Sequence, residues 1–323
     1  MAISVEPLHT APRLLLRAEL APIAGTRFQP TGFPDLGAAE YDHPTEPYRM
    51  LLVESPQSMA NRLESVCWDE AAEDWRPPLR GLPRVDVYDQ HGGFLTNSVL
   101  EAHRLNSPYI LEGKDTTVMQ LLKRELGLLG ESLPVDVRKL ARTVFKYDPN
   151  SVLHGLFLAK KELAGGRLRL SRLLSSFIEA EDARVAPNGG VKNDRVDPTG
   201  PTNQGFGNVP FHRDEYVARR VHAYFVLDLA LLRSYGLGAT AETFLTLFAL
   251  YKIQHFLSEG LRLRTACDFE VKQVEVIRPS GFELPTAEEI DRELPGLIDR
   301  LRAEGLLAAE NLRVRYAVKE VKS

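Results

Sequence analysis

The chain has 323 residues, 44% of them hydrophobic, with 40 Lys and Arg against 44 Asp and Glu for a formal net charge of −4. That composition belongs to an ordinary globular protein with one large core or two smaller ones, and it excludes fibrous and disordered classes. The acidic total also argues against nucleic-acid binding of the histone kind, in which net positive charge supplies the affinity, although a local cluster of cations can still serve.

Residues 13–23, RLLLRAELAPI, end at Pro22 and Gly25 and predict a first strand. Residues 24–50 form a long connection in which TRFQPTGFPDLG sets two prolines and two glycines among aromatics. After the apolar run LLVE at 51–54, Ser55 followed by Pro56 is a helix start, with Ser as N-cap and Pro at the first helical position. The helix runs through QSMANRLESVCW, with Met59, Leu63 and Val66 on one face.

Residues 69–115 show no clear period and predict an insertion of short elements. Amphipathic helices are predicted at about 116–129 and 134–147, a strand at 152–159, and a tight turn at Ala164-Gly165-Gly166. Residues 187–213, PNGGVKNDRVDPTGPTNQGFGNVPFHR, hold five Gly, four Pro and four Asn, which predicts a long loop and excludes an ordinary helix or central strand. Val191, Val196, Phe206, Val209 and Phe211 alternate there with Lys192, Arg195, His212 and Arg213. That mixture suits a flap closing over a polyanion with stackable bases, and a disordered linker is the plainer reading of its glycines.

A strand is predicted at 221–232. Next comes the helix ATAETFLTLFALYKIQHFLSEG, with Phe244, Leu247, Phe248, Tyr251 and Leu257 on one stripe and Gly260 at its end. TACDFEVKQVEVI alternates as a strand, Thr286 to Glu304 is a helix opened by the capping box Thr286-x-x-Glu289, and LRVRYAVKEV is a last strand. The core order of strand, helix, strand, strand, helix, strand is an α+β pattern of the ferredoxin-like and RNA-recognition kind, with large insertions.

Only Cys67 and Cys267 occur, without a CxxC or a nearby His pair, so buried thiols and a reducing cytoplasm are expected rather than zinc or disulfides. The early Glu6 and the lack of any apolar run of about 18 residues argue against export and against a membrane partner.

Three further motifs carry possible chemistry. In SPQSMANRLE, 55–64, a helix start offers free N–H groups and a positive dipole end, so that Gln57, Ser58, Asn61 and Arg62 would face a phosphate backbone. A capped surface helix explains the same residues without a ligand. KKELAGGRLRLSR, 160–172, sets Lys160, Lys161, Arg167, Arg169 and Arg172 around a tight turn, with three arginines on one face. Such a row tracks phosphates, or is simply a solvated strand face. EGLRLRTAC, 259–267, repeats the device with Arg262 and Arg264. From Lys160 to Arg220 the balance turns basic, eleven Lys and Arg against eight Asp and Glu.

His154 and His222 lie in apolar strands and read as satisfied core histidines. Asp35 follows the first strand with no His, Lys or second carboxylate fixed beside it by spacing. Gly205-Phe206-Gly207 lacks the third glycine of a dinucleotide fingerprint, and no P-loop, HExxH, GxSxG or kinase set occurs, so no catalytic residue, metal or cofactor is expected.

RFQPTGFPDLGAAEY at 27–41, LLVESPQSMANRLESVCWD at 51–69, LHGLFLAKKELAGGRLRLSRLLSSFIEAED at 153–182, VKNDRVDPTGPTNQGFGNVPFHRDEYVA at 191–218 and LALLRSYGLG at 229–238 resemble the backbone subunit of subtype I-G (formerly I-U) CRISPR effector complexes. That subunit is the seventh Cas family, within the RAMP superfamily. The resemblance covers most of the chain. It implies a single RNA-recognition-like palm over 1–323, with a helical, fingers-like insertion at about 69–150 and a thumb at 187–213. It implies a non-catalytic subunit that polymerises with further copies of itself along CRISPR guide RNA and presents the guide to target DNA. Its further partners would be other Cascade subunits and a recruited helicase-nuclease.

Arg27 and the basic residues named above would then contact RNA. In the wider superfamily a Gln-Ser-apolar-basic-basic helix start grips the guide. Gln57 and Ser58 match it, Ala60 and Asn61 stand where other subtypes often have basic residues, and Arg62 is displaced by one position. The thumb of relatives wedges between bases, with Phe206 and Val209 as candidates here. An Asp on the loop after the first strand cleaves target RNA in type III relatives, and Asp35 occupies a comparable region. A guide-processing ribonuclease of the superfamily usually carries a catalytic His and a Gly-rich loop near the C-terminus, and AENLRVRYAVKEVKS has neither. A metabolic α/β enzyme would need a cofactor motif that is missing.

Overall fold

Leu14, Leu16, Ala18 and Leu20 are buried along the strand Arg13–Pro22 while Arg13 and Glu19 are exposed, the period of two that a strand with one face in the core requires. A computed structural model describes residues 3–33, 35–128 and 136–317 of the chain. Among these residues the strand lies inside an eight-stranded sheet with the order Arg262–Arg264, Cys267–Arg278, Arg13–Pro22, Arg220–Asp228, Leu174–Glu181, Arg49–Glu54, Gly37–Asp42 and Gly32–Phe33. Each neighbouring pair is antiparallel, and Leu16 stands between Phe225 and Val276.

Helices Pro56–Ser65 and Ala239–Glu259 pack on the sheet and touch each other. Met59 and Leu63 come from the first, and Phe256 of the second meets Phe225 of the sheet at 6.1 Å between ring centroids. The second helix is buried nearly all round, Leu245, Ala249, Leu250 and Ile253 included, rather than along one stripe. The cause is the outer helix Ala287–Ala303, which packs over it and opens with the Thr286–Glu289 capping box.

Several expectations are corrected. The strand predicted at 152–159 is the helix Pro149–His154 followed by the short strand Leu156–Leu158, because Asp148 caps Ser151 N at 3.1 Å and Pro149 takes the first helical position. The sheet strand that follows the first helix is instead Leu174–Glu181, in which Leu174, Ser176, Ile178 and Ala180 are buried. The strand at 221–232 ends at Asp228, whose carboxylate caps a short helix, Leu229–Ser234, by accepting from Leu231 N at 2.8 Å. The closing strand, Leu312–Arg315, does not join the main sheet but lies parallel to Val85–Tyr88, which pairs with Phe94–Asn97. The helices expected at 116–129 and 134–147 are Thr117–Leu126 and Val137–Tyr147; residues 129, 134 and 135 of those expectations, and 318–321 of the last strand, lie outside the described residues.

The segment 187–213 is more ordered than a loop. Arg184–Lys192 and Val209–Val217 form a two-stranded antiparallel hairpin, tied back to the body by the Phe28–Tyr216 bridge. Glycine is required in its ladder, since a Cβ at Gly189 would lie 2.9 Å from the Phe211 carbonyl oxygen.

Among the described residues no helix is long and apolar enough to cross a membrane, and no group of three His, Cys, Asp or Glu is placed to hold a metal ion. Cys67 and Cys267 are free and buried.

Candidate nucleic-acid interface

Ser55 Oγ accepts the Ser58 amide at 3.3 Å and Pro56 follows as the first helical residue, which fixes the start of helix Pro56–Ser65 at the end of the sheet strand Arg49–Glu54. Gln57 and Asn61 are exposed on its first turns. Across from them lies the antiparallel pair Leu156–Leu158 and Leu168–Leu170. Its four leucines are buried, and Phe157 and Arg169, register partners, are exposed on the opposite face. Arg172 ties the two walls together by donating to the Pro56 carbonyl at 2.9 Å, to Gln57 Oε1 at 3.0 Å and to the His154 carbonyl at 3.3 Å. Arg172 therefore leaves the row predicted with Arg167 and Arg169, because the ladder ends at Leu170.

The walls enclose an open groove of about 830 Å³ that Gln57, Asn61, His103, Phe157, Arg169 and Arg172 line, with Arg104, Asn106 and His154 beneath. Among the described residues no Asp or Glu lines it. In a chain where acids outnumber bases, this is a local concentration of positive charge.

A buried polar network supports the floor. Arg104 donates to both carboxylate oxygens of Glu64, at 2.6 and 2.9 Å, and Asn150 donates to the same group at 2.7 Å. The buried Lys252 ammonium donates to Asn150 Oδ1 at 2.8 Å and to the Leu63 carbonyl at 3.2 Å. Arg104 adopts a left-handed φ of 51°, a conformation that the bidentate contact holds in place. His154, 1% exposed, is not the satisfied strand histidine expected: it ends a helix, and both its ring nitrogens lack a partner. Burial, reinforced by the charges of Lys252, Arg104 and Arg172, lowers its pKa well below the ordinary value and keeps it neutral. His222 is buried in its strand with Nδ1 3.4 Å from a Glu181 carboxylate oxygen.

Other predicted cations meet carboxylates of the protein itself. Glu54, 1% exposed, takes the guanidinium of Arg264, that of Arg62 at 3.3 Å and the hydroxyl of Ser58. Arg62 also donates to the Leu263 carbonyl at 2.6 Å, and Arg264 to that of Gln29 at 2.8 Å. Arg27 and Arg213 lie 3.7 and 2.7 Å from the buried Glu215. Burial alone would raise that carboxyl, yet hydrogen bonds from Asn188 and Arg213 and the nearby Arg27 charge hold it below its usual range. Lys160 pairs with Glu112.

Lys161, Arg167, Arg169, Lys192, Arg195, His212 and Arg262 make no ion pair among the described residues. The first three border the groove's hairpin, Arg262 lies in the short edge strand, and the others lie on the 184–217 hairpin with the exposed Phe206 and Phe211. Asp35 is exposed on the loop beside Phe33 and Leu36, at the hairpin's base. The structure thus brings Gln57, Asn61, Arg169 and Arg172 into one groove and places the hairpin residues apart from it. Phe157 and His103 were missed from the sequence, where an apolar strand and an insertion gave no sign of which residues face outward.

A family model described as CRISPR-associated protein GSU0053 matches residues 14–185, more than half of the chain. The chain belongs to that CRISPR-associated family. No curated protein matches it. Among solved structures, this CRISPR-associated chain is similar to one in "CRISPR RNA-guided surveillance complex, pre-nicking", with 14% identity, 94% of this chain and 96% of that one covered, and a TM-score of 0.43. It is also similar to Csc2 of Thermofilum pendens, with 11% identity, 94% and 81% covered, and a TM-score of 0.33. At those scores the two likenesses carry no argument about function.

Proposed function

We propose that this CRISPR-associated protein is the non-catalytic backbone subunit of a type I-G Cascade effector complex in the cytoplasm. It polymerises along guide RNA, holds the guide by its phosphates and presents its bases for pairing with target DNA. The carrying observation is the acid-free groove at the start of helix Pro56–Ser65, where Arg169, Arg172 and two helix-start amides converge in a chain of net charge −4. The central strand order of Cys267–Arg278, Arg13–Pro22, Arg220–Asp228 and Leu174–Glu181, with two packed helices, supports an RNA-recognition-like palm. The projecting hairpin Arg184–Val217 then serves as the thumb, reaching a neighbouring copy, and the segment at about 69–150 as the fingers. Other Cascade subunits and a helicase-nuclease complete the assembly.

The purified protein should carry guide-length RNA, read as a raised A260/A280 ratio, and elute as an oligomer with it. A nucleic-acid-free monomer that stays so when guide is added overturns the reading. Incubation with complementary RNA and magnesium should give no cleavage. Product that disappears in Asp35→Ala overturns the non-catalytic assignment.

A further inference from the structure

We propose that Phe157 is a stacking platform on which one unpaired base of bound single-stranded RNA lies flat, while Arg169 beside it holds the adjoining phosphate. The inference rests on the nucleic-acid reading of the groove and adds to it a contact of different chemistry. Phe157 and Arg169 are direct register partners, so their side chains rise together from one face of the strand pair. The alternate positions of both strands are buried leucines, which fixes that outward orientation by the pleat.

Phe157 is 54% exposed and has no aromatic or cationic partner among the described residues. It lines the same groove as Arg169, Arg172 and the side-chain amides of Gln57 and Asn61. A bare anion would satisfy Arg169 and leave the ring in water, and so would an acidic peptide. A nucleotide meets both, since every base has a flat π-face and its backbone carries the charge.

The test uses the whole protein with a labelled oligouridylate of about six nucleotides, short enough for one subunit, and an abasic ribose-phosphate oligomer of equal length. Phe157→Ala should lose about tenfold in affinity for the oligouridylate, keep the wild-type dependence on salt and bind the abasic oligomer as wild type does. Phe157→Trp should bind within about twofold of wild type and show fluorescence quenching on binding. Arg169→Ala should instead lower the salt slope, by roughly 0.7, on both oligomers. Equal oligouridylate binding by wild type and Phe157→Ala, with no quenching in Phe157→Trp, overturns the platform and leaves the groove's reading intact. Wild type that binds neither oligomer overturns the groove's reading itself. If Phe157→Ala binds the short oligomer normally but no longer oligomerises on guide-length RNA, the ring is a contact between copies and the proposal is wrong.

Discussion

The guanidinium of Arg104 is locked on Glu64, whereas that of Arg169, in the same groove, meets no carboxylate among the described residues. The two should separate stability from binding. Glu64→Gln leaves Arg104 buried without its counter-charge and should cost about 3 kcal/mol in urea unfolding. Arg169→Ala should change stability by less than about 0.5 kcal/mol and weaken RNA binding equally for all guide sequences. Equal stability of the two variants would refute this division. The division was hidden from the sequence because ion pairs such as Glu54 with Arg264 join residues 210 positions apart. Local chemistry was legible: Ser55 and Pro56 start a helix, and Thr286 and Glu289 close a capping box, because those contacts span only a few residues.

Among the elements, the helix Pro149–His154 depends on a cap that works at a cost. Burial pushes the Asp148 carboxyl up to about 6 against the hydrogen bonds from Ser151 that favour the charged form. The folded chain therefore holds this proton more tightly than the unfolded chain does. The resulting stabilisation is complete below about pH 4 and is lost as pH rises through about 6. Asp148→Asn keeps a capping oxygen without the charge, so it should be about 2 kcal/mol more stable than wild type at pH 8, with the gap closing near pH 4. His154 titrates in both proteins and cancels in the difference. A gap independent of pH would sink the assignment. The hairpin Arg184–Val217 pairs mainly with itself, so replacing 190–211 by an Asn-Gly turn between the partners Gly189 and His212 should shift melting by no more than about 3 °C. Assembly on guide RNA should fail in that variant, and light scattering or size exclusion would show it. Elements were harder to read than caps. VLHGLFLA is apolar enough for either a helix or a strand, and only the upstream Asp148-Pro149 decides between them. Leu174–Glu181 buries small residues as well as large ones, which weakens its alternation.

For the whole molecule, a charge of −4 leaves only local clusters of cations, the groove among them, to attract a polyanion on the proposed reading. Binding should therefore depend steeply on salt. Four cations each meeting a phosphate would cost about 50-fold in affinity between about 50 and 200 mM, and a slope near zero would show that the groove does not hold the backbone. The first strand, the helices after Ser55 and Gly238 and the capped helix after Thr286 could be read from the sequence, but the strand at 174–181, the helix at 149–154 and the way distant segments converge could not. One wall of the groove comes from residues 57–61 and the other from 103–172, and Glu64, Arg104, Asn150 and Lys252 bridge between them. Residues 154–172 hold one side of the groove, but nothing in them supplies Gln57, Asn61, Arg104 or the buried network beneath. On the proposed function, RNA would meet no complete groove until synthesis has passed Lys252 and the chain has closed on itself, so a polymer on guide RNA would grow by adding finished subunits, and the guide would select among folded proteins rather than shape them.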